Sequence, residues 1–369
     1  PGSKGYLYET GLHVPMVVHV PEKYKHLVNK PVGSTVNDFI GFIDLAPTVL
    51  NLAGVTKPKG MDGKAFLGPD NSNPEVHAPD ETYSYADRFD EKYDMVRAVR
   101  KGKYKYIRNY QPFNFDGLMN NYRYKQLAYQ EWKALYDKGE LNKTQSAFFE
   151  ARPCEMLFDI DEDPYETKNL ANDPAYKTTL IDLRNRLNTW VKGMPDLSFY
   201  PEHVLIDKAF ENPVAFGQKH KEEIIKYIEI ANLGLLNFKE AKNSLAAALD
   251  SSDPWERYWA IIVCSTFGEQ AMAMGAKIKS ITTKDPELLN RVRAAEFMAI
   301  MKQSDPSAVM TNALYKSDKP SEALLILNSV VLMNSSNYNY TFDIDLNKIS
   351  KVVAEDSEVK LRLKYLNII

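Results

Sequence analysis

Residues 94–110 read DMVRAVRKGKYKYIRNY. The stretch breaks at Lys101-Gly102, and beyond it Tyr104 and Tyr106 alternate against Lys103 and Lys105. A period of two is the signature of a strand, and a glycine-containing break between two such runs predicts a hairpin. ETYSYADRF (81–89) reads as a strand before this hairpin, and EMLFDI (155–160) as one after it. DPAYKTTLIDLRNRLNTWVKGM (173–194) predicts an amphipathic helix behind Asp173-Pro174, with Leu180, Leu183, Leu187, Trp190 and Val191 on one face. The middle of the chain is therefore expected to be α+β, a small mostly antiparallel sheet with a closing helix.

Working outward towards the first residue, GPDNSNPEVHAPD (68–80) has the composition of a linker. Before it, FIGFIDLAPTVLNLAGV (39–55) predicts a helix in which Asp44 caps the turn ahead of Pro47 and Gly54 ends the run. HVPMVVHV (13–20) is a β-branched apolar run between Pro15 and Pro21, which reads as a buried strand of a parallel sheet. A strand followed by a helix is one unit of an α/β layer. The chain opens PGSKGYLYETG, without Met and already patterned, so more chain is expected to precede this unit.

In the other direction the texture changes near Asn212. Glycine thins out, and helical patterns follow one another with starts marked by Asp253, Asp285 and Asp318, and a looser echo at Asp356. Helix starts at regular intervals of a few tens of residues predict stacked helix pairs of a HEAT-like kind. Arg257 with Ala260 and Arg293 with Ala295 stand at unequal offsets from these starts, so the repeat is irregular.

The totals bound the function. A length of 369 residues suggests two or three domains. Against 49 acidic residues there are 46 Lys and Arg, a net charge of −3, which argues against a nucleic-acid binder that must displace phosphate counterions. No apolar run is long enough for a transmembrane helix. Cys154 and Cys264 could form one disulfide at most and cannot by themselves build a zinc site.

Three segments carry a family resemblance. SKGYLYETGLHVPMVV (3–18) is similar to the sulfatase pattern G-K-G-x-x-Y-E-G-G-x-R-x-P. FIDLAPTVLNLAGV with MDGKAFL resembles that family's D-L-x-P-T-x-L-x-L-A-G and x-D-G-x-S-L elements, and EMLFDIDEDPYETKNLA (155–171) resembles its E-L-Y-D-L-x-x-D-P-x-E-x-x-N-L-A segment. The stretch 86–112 most resembles bacterial heparan N-sulfatase-like members of this branch of the alkaline-phosphatase superfamily. The resemblance implies an α/β plus α+β fold followed by an all-α extension. Residues 1–75 would be the end of the catalytic α/β domain, 76–211 its α+β subdomain and 212–369 the HEAT-like addition. It implies hydrolysis of sulfate esters or sulfamates on sulfated sugars such as glycosaminoglycans, in a periplasmic or secreted enzyme. It also implies a formylglycine nucleophile and a Ca²⁺ ion, both expected in a part before Pro1. RPCEML around Cys154 and VCSTF around Cys264 do not fit the formylglycine motif. The chain alone is therefore expected to be inactive and to bind neither group.

Within the chain the resemblance assigns Lys4 to the sulfate and its leaving oxygen. His13 stands where the family often has Arg, and lacks that residue's planar fork. It is a weaker candidate for substrate contact, with Arg88 and Asp90 of the charged cluster Asp87, Arg88, Asp90 and Glu91. The six basic residues from Arg97 to Arg108 read as a solvated sheet face. Asp159, Asp161 and Asp163 alternate as in a calcium loop but lack its Gly and terminal Glu, so they read as a turn. His19, His26, His77, His203 and His220 show no ligand spacing. Two rivals stand beside the sulfatase reading. One is a phosphatase or phosphodiesterase of the same superfamily. The other is a non-catalytic helical scaffold binding a protein or polysaccharide.

Overall fold

Four antiparallel strands, β1 (Glu81–Phe89), β2 (Lys92–Lys101), β3 (Tyr104–Asn109) and β4 (Glu155–Asp159), lie side by side in chain order. They belong to a computed structural model that describes residues 4–28, 30–69 and 80–369. Lys101 pairs with Tyr104, and Gly102 takes φ +53 in the turn between them, where a side chain would be strained. The expected hairpin and both flanking strands are present. The helix Lys177–Gly193 lies on one face of the sheet, burying Leu180, Leu183, Leu187 and Val191 as its spacing requires.

Odd-numbered residues of β2 face the helices, and even-numbered ones face the segment 4–12, whose Leu7 joins Val96, Ala98, Ile107 and Phe158 in a small cluster. Covered on both sides, β2 is buried from Lys92 through Val99. The solvated basic face expected between Arg97 and Arg108 is thus not found. Arg97 pairs with Asp196 and Asp87, Lys105 with Glu9 and Glu166, and Arg108 donates to the carbonyl of Ala231. Each buried cation meets a polar partner supplied by a distant part of the chain, as burial of a charge demands.

Residues 4–69 depart from expectation. Among them no strand is formed, and 13–20 runs as exposed, irregular chain, with Val17 at 94% exposure. The expected parallel α/β layer is therefore absent from the described residues. A strand is defined by a neighbour that accepts its backbone hydrogen bonds, and 13–20 has none here. The helix Leu45–Leu52 does form, with Pro47 as its third residue rather than its first. Asp44 serves as a loop staple, accepting from the backbone N–H of Gly41 and of Lys64, both at 2.8 Å. The expected linker lies mostly outside the described residues, as do His77, the division at residue 75 and Pro1.

Helices fill the remainder. Asp253 accepts from the N–H groups of Trp255 and Glu256 to start Pro254–Phe267, and Asp356 does the same for Ser357–Tyr365. Lys221–Asn232 packs on Pro254–Phe267, that helix on Leu288–Ile300, the next on Pro320–Asn334, and the last on Ser357–Tyr365. These helices share one apolar core with the sheet, running from Tyr93, Met95 and Val99 through Trp259 to Val330 and Leu363. Polar bonds cross the same boundary: Asn328 Oδ1 accepts from Tyr93 N at 3.0 Å, and Trp259 Nε1 donates to Phe199 O at 2.9 Å.

Candidate functional site

The segment from Lys4 to Leu12 is tied down at successive residues. Gly5 takes φ +86, and a Cβ there would stand 3.1 Å from the Phe89 ring and 3.2 Å from the Arg123 guanidinium, so the turn requires glycine. Tyr6 donates to the carbonyl of Asp116 at 2.8 Å, and Tyr8 to the Asp116 carboxylate at 2.9 Å. Burial pushes both phenols well above their ordinary range, so they remain donors. Glu9 N donates to Glu166 Oε2 at 2.6 Å, while the Glu9 carboxylate binds Arg100 and Lys105. Glu166, in turn, has φ +54, and burial raises its carboxyl despite Lys105 beside it.

Beneath this segment lies a charge network built on the even positions of β2. Arg152 bridges Asp94 and Asp116 at 2.7 and 2.8 Å, and Lys92 donates to the carbonyls of Phe115 and Asp116. Burial pushes Lys92 down to about 8. With Tyr6, Tyr8, Asp87 and Phe89 these side chains line a cavity holding little more than a water molecule. The network therefore supports the segment above it and has no room for a sugar.

Lys4 itself is exposed. Its ammonium stands 5.7 Å from the Phe89 ring and 5.4 Å from the Tyr122 ring, two aromatic groups packed edge to face. Arg88 and Asp90 flank Phe89 along the chain, but Arg88 lies opposite Tyr93 on the helix-bearing face of the sheet. Arg88 donates to both Glu202 oxygens, at 2.7 and 2.9 Å through Nε, and to the Asp90 carbonyl at 3.3 Å. Asp90 is exposed with φ +50, whereas Glu91 is buried with Oε1 accepting from Asn121 N at 2.5 Å. His13 lies exposed past the other end of the short helix Glu9–Leu12, 3.9 Å from Glu9. The structure thus places Lys4 beside Phe89 and Tyr122 and sets Arg88 and His13 apart from it.

Phe89, Tyr122 and Arg123 are the neighbours of Lys4 that its motif does not reveal. For Tyr122 and Arg123 the one sequence signal is the aromatic density of YQPFNFDGLMNNYRY (110–124). Asp159 pairs with Lys103, and Asp163 accepts from Thr167 and Lys168 N, the arrangement of a turn. Burial raises both cysteine thiols, Cys264 to about 12. Among the described residues no three His, Cys, Asp or Glu side chains converge as a metal cage.

Comparison with known proteins agrees with the motifs. Residues 3–151 match the family model for the C-terminal region of N-sulphoglucosamine sulphohydrolase. An ulvan-active sulfatase of Formosa agariphila is 38% identical over 211 residues, 56% of this chain and 33% of the relative. A second ulvan-active sulfatase of that organism is 31% identical over 198 residues, 51% of this chain and 35% of the relative. The chain thus spans about a third of the length of the curated relatives it matches. A solved structure from Bacteroides thetaiotaomicron VPI-5482, described only provisionally as a sulfatase, aligns at TM-score 0.26 and 23% identity. It covers 40% of this chain and 24% of its own, a likeness too slight to argue from. The family model, matched over residues 3–151, and these relatives support reading this part of the chain as similar to the C-terminal region of sulfatases.

Proposed function

We propose that this chain is the C-terminal portion of an enzyme that hydrolyses sulfate esters or sulfamates on a sulfated sugar polymer, and that Lys4 contacts the sulfate. The observation that carries this reading is the fixing of the Lys4–Glu9 turn. Tyr6, Tyr8 and Glu9 are each bound to the sheet subdomain, while the ammonium just ahead of them stays exposed. A cation held on a fixed turn can meet the sulfate oxygens and offset charge growing on the leaving oxygen without reorganising during the reaction. Asp90, exposed in the turn after Phe89, remains a weaker candidate for substrate contact, whereas Arg88 is held by Glu202 on the helix-bearing face of the sheet.

The formylglycine nucleophile and Ca²⁺ belong, in this reading, to the rest of the enzyme. Together they supply the attacking oxygen and gather the sulfate oxygens. The exposed apolar side chains between Leu12 and Val55 form the side against which that remainder packs. The names of the relatives favour ulvan over a glycosaminoglycan as the polymer, and a polymeric substrate argues for a periplasmic or secreted enzyme.

We also read the helices after residue 212 as HEAT-like stacked pairs. Support comes from the Asp253 and Asp356 caps and from Arg257 reaching Asp285 at the start of the following pair, 2.7 Å away. Part of their apolar surface shares the core of the sheet subdomain, and the rest, from Ala241 and Leu245 to Ile278 and Phe297, forms a second core among the helices themselves. The shared core favours a supporting role over a free scaffold.

The test is turnover of sulfated oligosaccharides by the complete enzyme containing this chain. Lys4→Ala is expected to lower kcat about 10²–10³-fold, the range for loss of one charge-stabilising group. Unchanged kcat overturns the assignment. The chain alone is expected to give no measurable hydrolysis of an aryl sulfate.

A further inference from the structure

We infer that Arg123 is the positioning residue for Lys4. The inference rests on the reading of Lys4 given above, but its geometry stands apart from it. Arg123 comes from the short helix Asn121–Tyr124, 119 residues along the chain from Lys4, and its Nη2 donates to the Lys4 carbonyl at 2.8 Å. The guanidinium lies 3.9 Å from the centre of the Tyr6 ring and 5.1 Å from that of Phe89. It therefore grips the turn on both sides of Gly5, through the main chain of residue 4 and the ring of residue 6.

The grip is itself held. Asn120 Oδ1 accepts from Arg123 N at 3.1 Å, and Asn120 Nδ2 donates to Phe89 O at 2.9 Å. The helix and the β1–β2 turn are thereby locked to one another, and the Phe89 and Tyr122 rings that flank the Lys4 ammonium come from those two elements. Arg123 is only 2% exposed, and among the described residues no carboxylate pairs with its side chain. A buried guanidinium without a carboxylate is costly, and the neighbouring Arg152 is by contrast neutralised by Asp94 and Asp116. What Arg123 gains in exchange is a planar stack and a directed donor, which a lysine could not supply together. Its contacts converge on the turn that presents Lys4.

Two flanking rings give the Lys4 side chain a ring-current signature, so its position can be read without catalysis. The chain is labelled with ¹³C-lysine, and the Lys4 Cε resonances are assigned by their loss in Lys4→Arg. In the unaltered protein they are expected displaced from the cluster of solvent-exposed lysines. In Arg123→Met they are expected to collapse into that cluster, while the other resonances and cooperative unfolding are retained. If Arg123→Met does not fold, Tyr6→Leu removes the surface on which the guanidinium stacks and is expected to give the same collapse. A Lys4 signal that stays displaced in a folded Arg123→Met or Tyr6→Leu protein overturns the inference.

The complete enzyme adds a second readout. Arg123→Met is expected to lower kcat by no more than Lys4→Ala does, and the double variant to be no slower than Lys4→Ala alone, since both act through one ammonium. Additive losses overturn the inference. Full activity in Lys4→Ala would instead remove the catalytic reading of Lys4 while the resonance result stood, so the two failures are distinguishable.

Discussion

Val17-Val18 and Val330-Val331 are the same dipeptide in two settings. The first pair stands at 94% and 48% exposure, and the second, in the helix Pro320–Asn334, is fully buried. The contrast extends to their surroundings. Val14, Met16, Val32, Phe42, Ile43 and Val49 are all at least 47% exposed, whereas from residue 80 onward even Arg97, Lys105, Arg293 and Arg362 are buried. Apolarity does not bury a side chain unless another layer is there to receive it. The charges of the second region show the converse. They are inside because partners from elsewhere in the chain satisfy them.

The most severe way to break the second region is to remove such a satisfied charge. Arg362 donates to the carbonyls of Met119 at 2.7 Å and Glu91 at 2.9 Å and to Asn328 Oδ1 at 3.0 Å, tying the last helix to the β1–β2 turn. Desolvation pushes it down to about 10. Arg362→Met strands these acceptors in the core, and a loss of about 3–5 kcal/mol in denaturant unfolding is expected. A loss below about 1 kcal/mol would mean that the last helix is not part of the cooperative unit.

The histidines sharpen the comparison through pH. His13, His19 and His26 are exposed, but His203 is buried against Trp255 and held down to about 4, first by desolvation and then by Lys319. Glu322 lies 3.8 Å from its Nε2, too far for a hydrogen bond. Between pH 6.5 and 4 the unfolded chain binds a proton at this position that the native state refuses. Stability from the neutral imidazole is thus complete above 6.5 and lost as pH falls towards 4, by about 3 kcal/mol in all. Burial raises the Glu322 carboxyl, which works in the opposite direction on acidification. The test therefore compares the pH profiles of the unaltered protein and His203→Gln, both of which keep Glu322. The variant should lose the steeper acid limb. Parallel profiles would count against a buried neutral His203.

The parts of this contrast that could be read in the sequence are those set locally. The Lys101-Gly102 turn, the leucine spacing of 177–193 and the Asp253 cap depend on residues a few positions apart, and each lies where its pattern puts it. Burial of Arg97, Lys105 and Arg108 was not legible, because their partners Asp196, Glu9 and the Ala231 carbonyl are roughly 100 residues away. The candidate site divides in the same way. Lys4 stands out through its own motif, whereas the Arg123 contact joins segments whose proximity only the fold creates. The strand expected at 13–20 failed for a related reason. Its β-branched pattern specifies a surface to be covered, and coverage is a property of a neighbour.

One substitution made in both places isolates that last point. Val331→Ser removes buried methyls and places a hydroxyl among apolar atoms, so a loss of about 2–3 kcal/mol is expected. Val17→Ser changes a side chain that already meets water, and is expected to shift unfolding of this chain by less than about 0.5 kcal/mol. In the complete enzyme proposed above the two should converge. If, on that proposal, the remainder packs on residues 12–55, Val17→Ser will there lower the midpoint as a buried substitution does, and hydrogen exchange along 13–20 will slow relative to the chain alone. Should Val17→Ser remain neutral in the complete enzyme, with exchange unchanged, residues 13–20 form an outer surface, and the apolar face would have to serve a different partner.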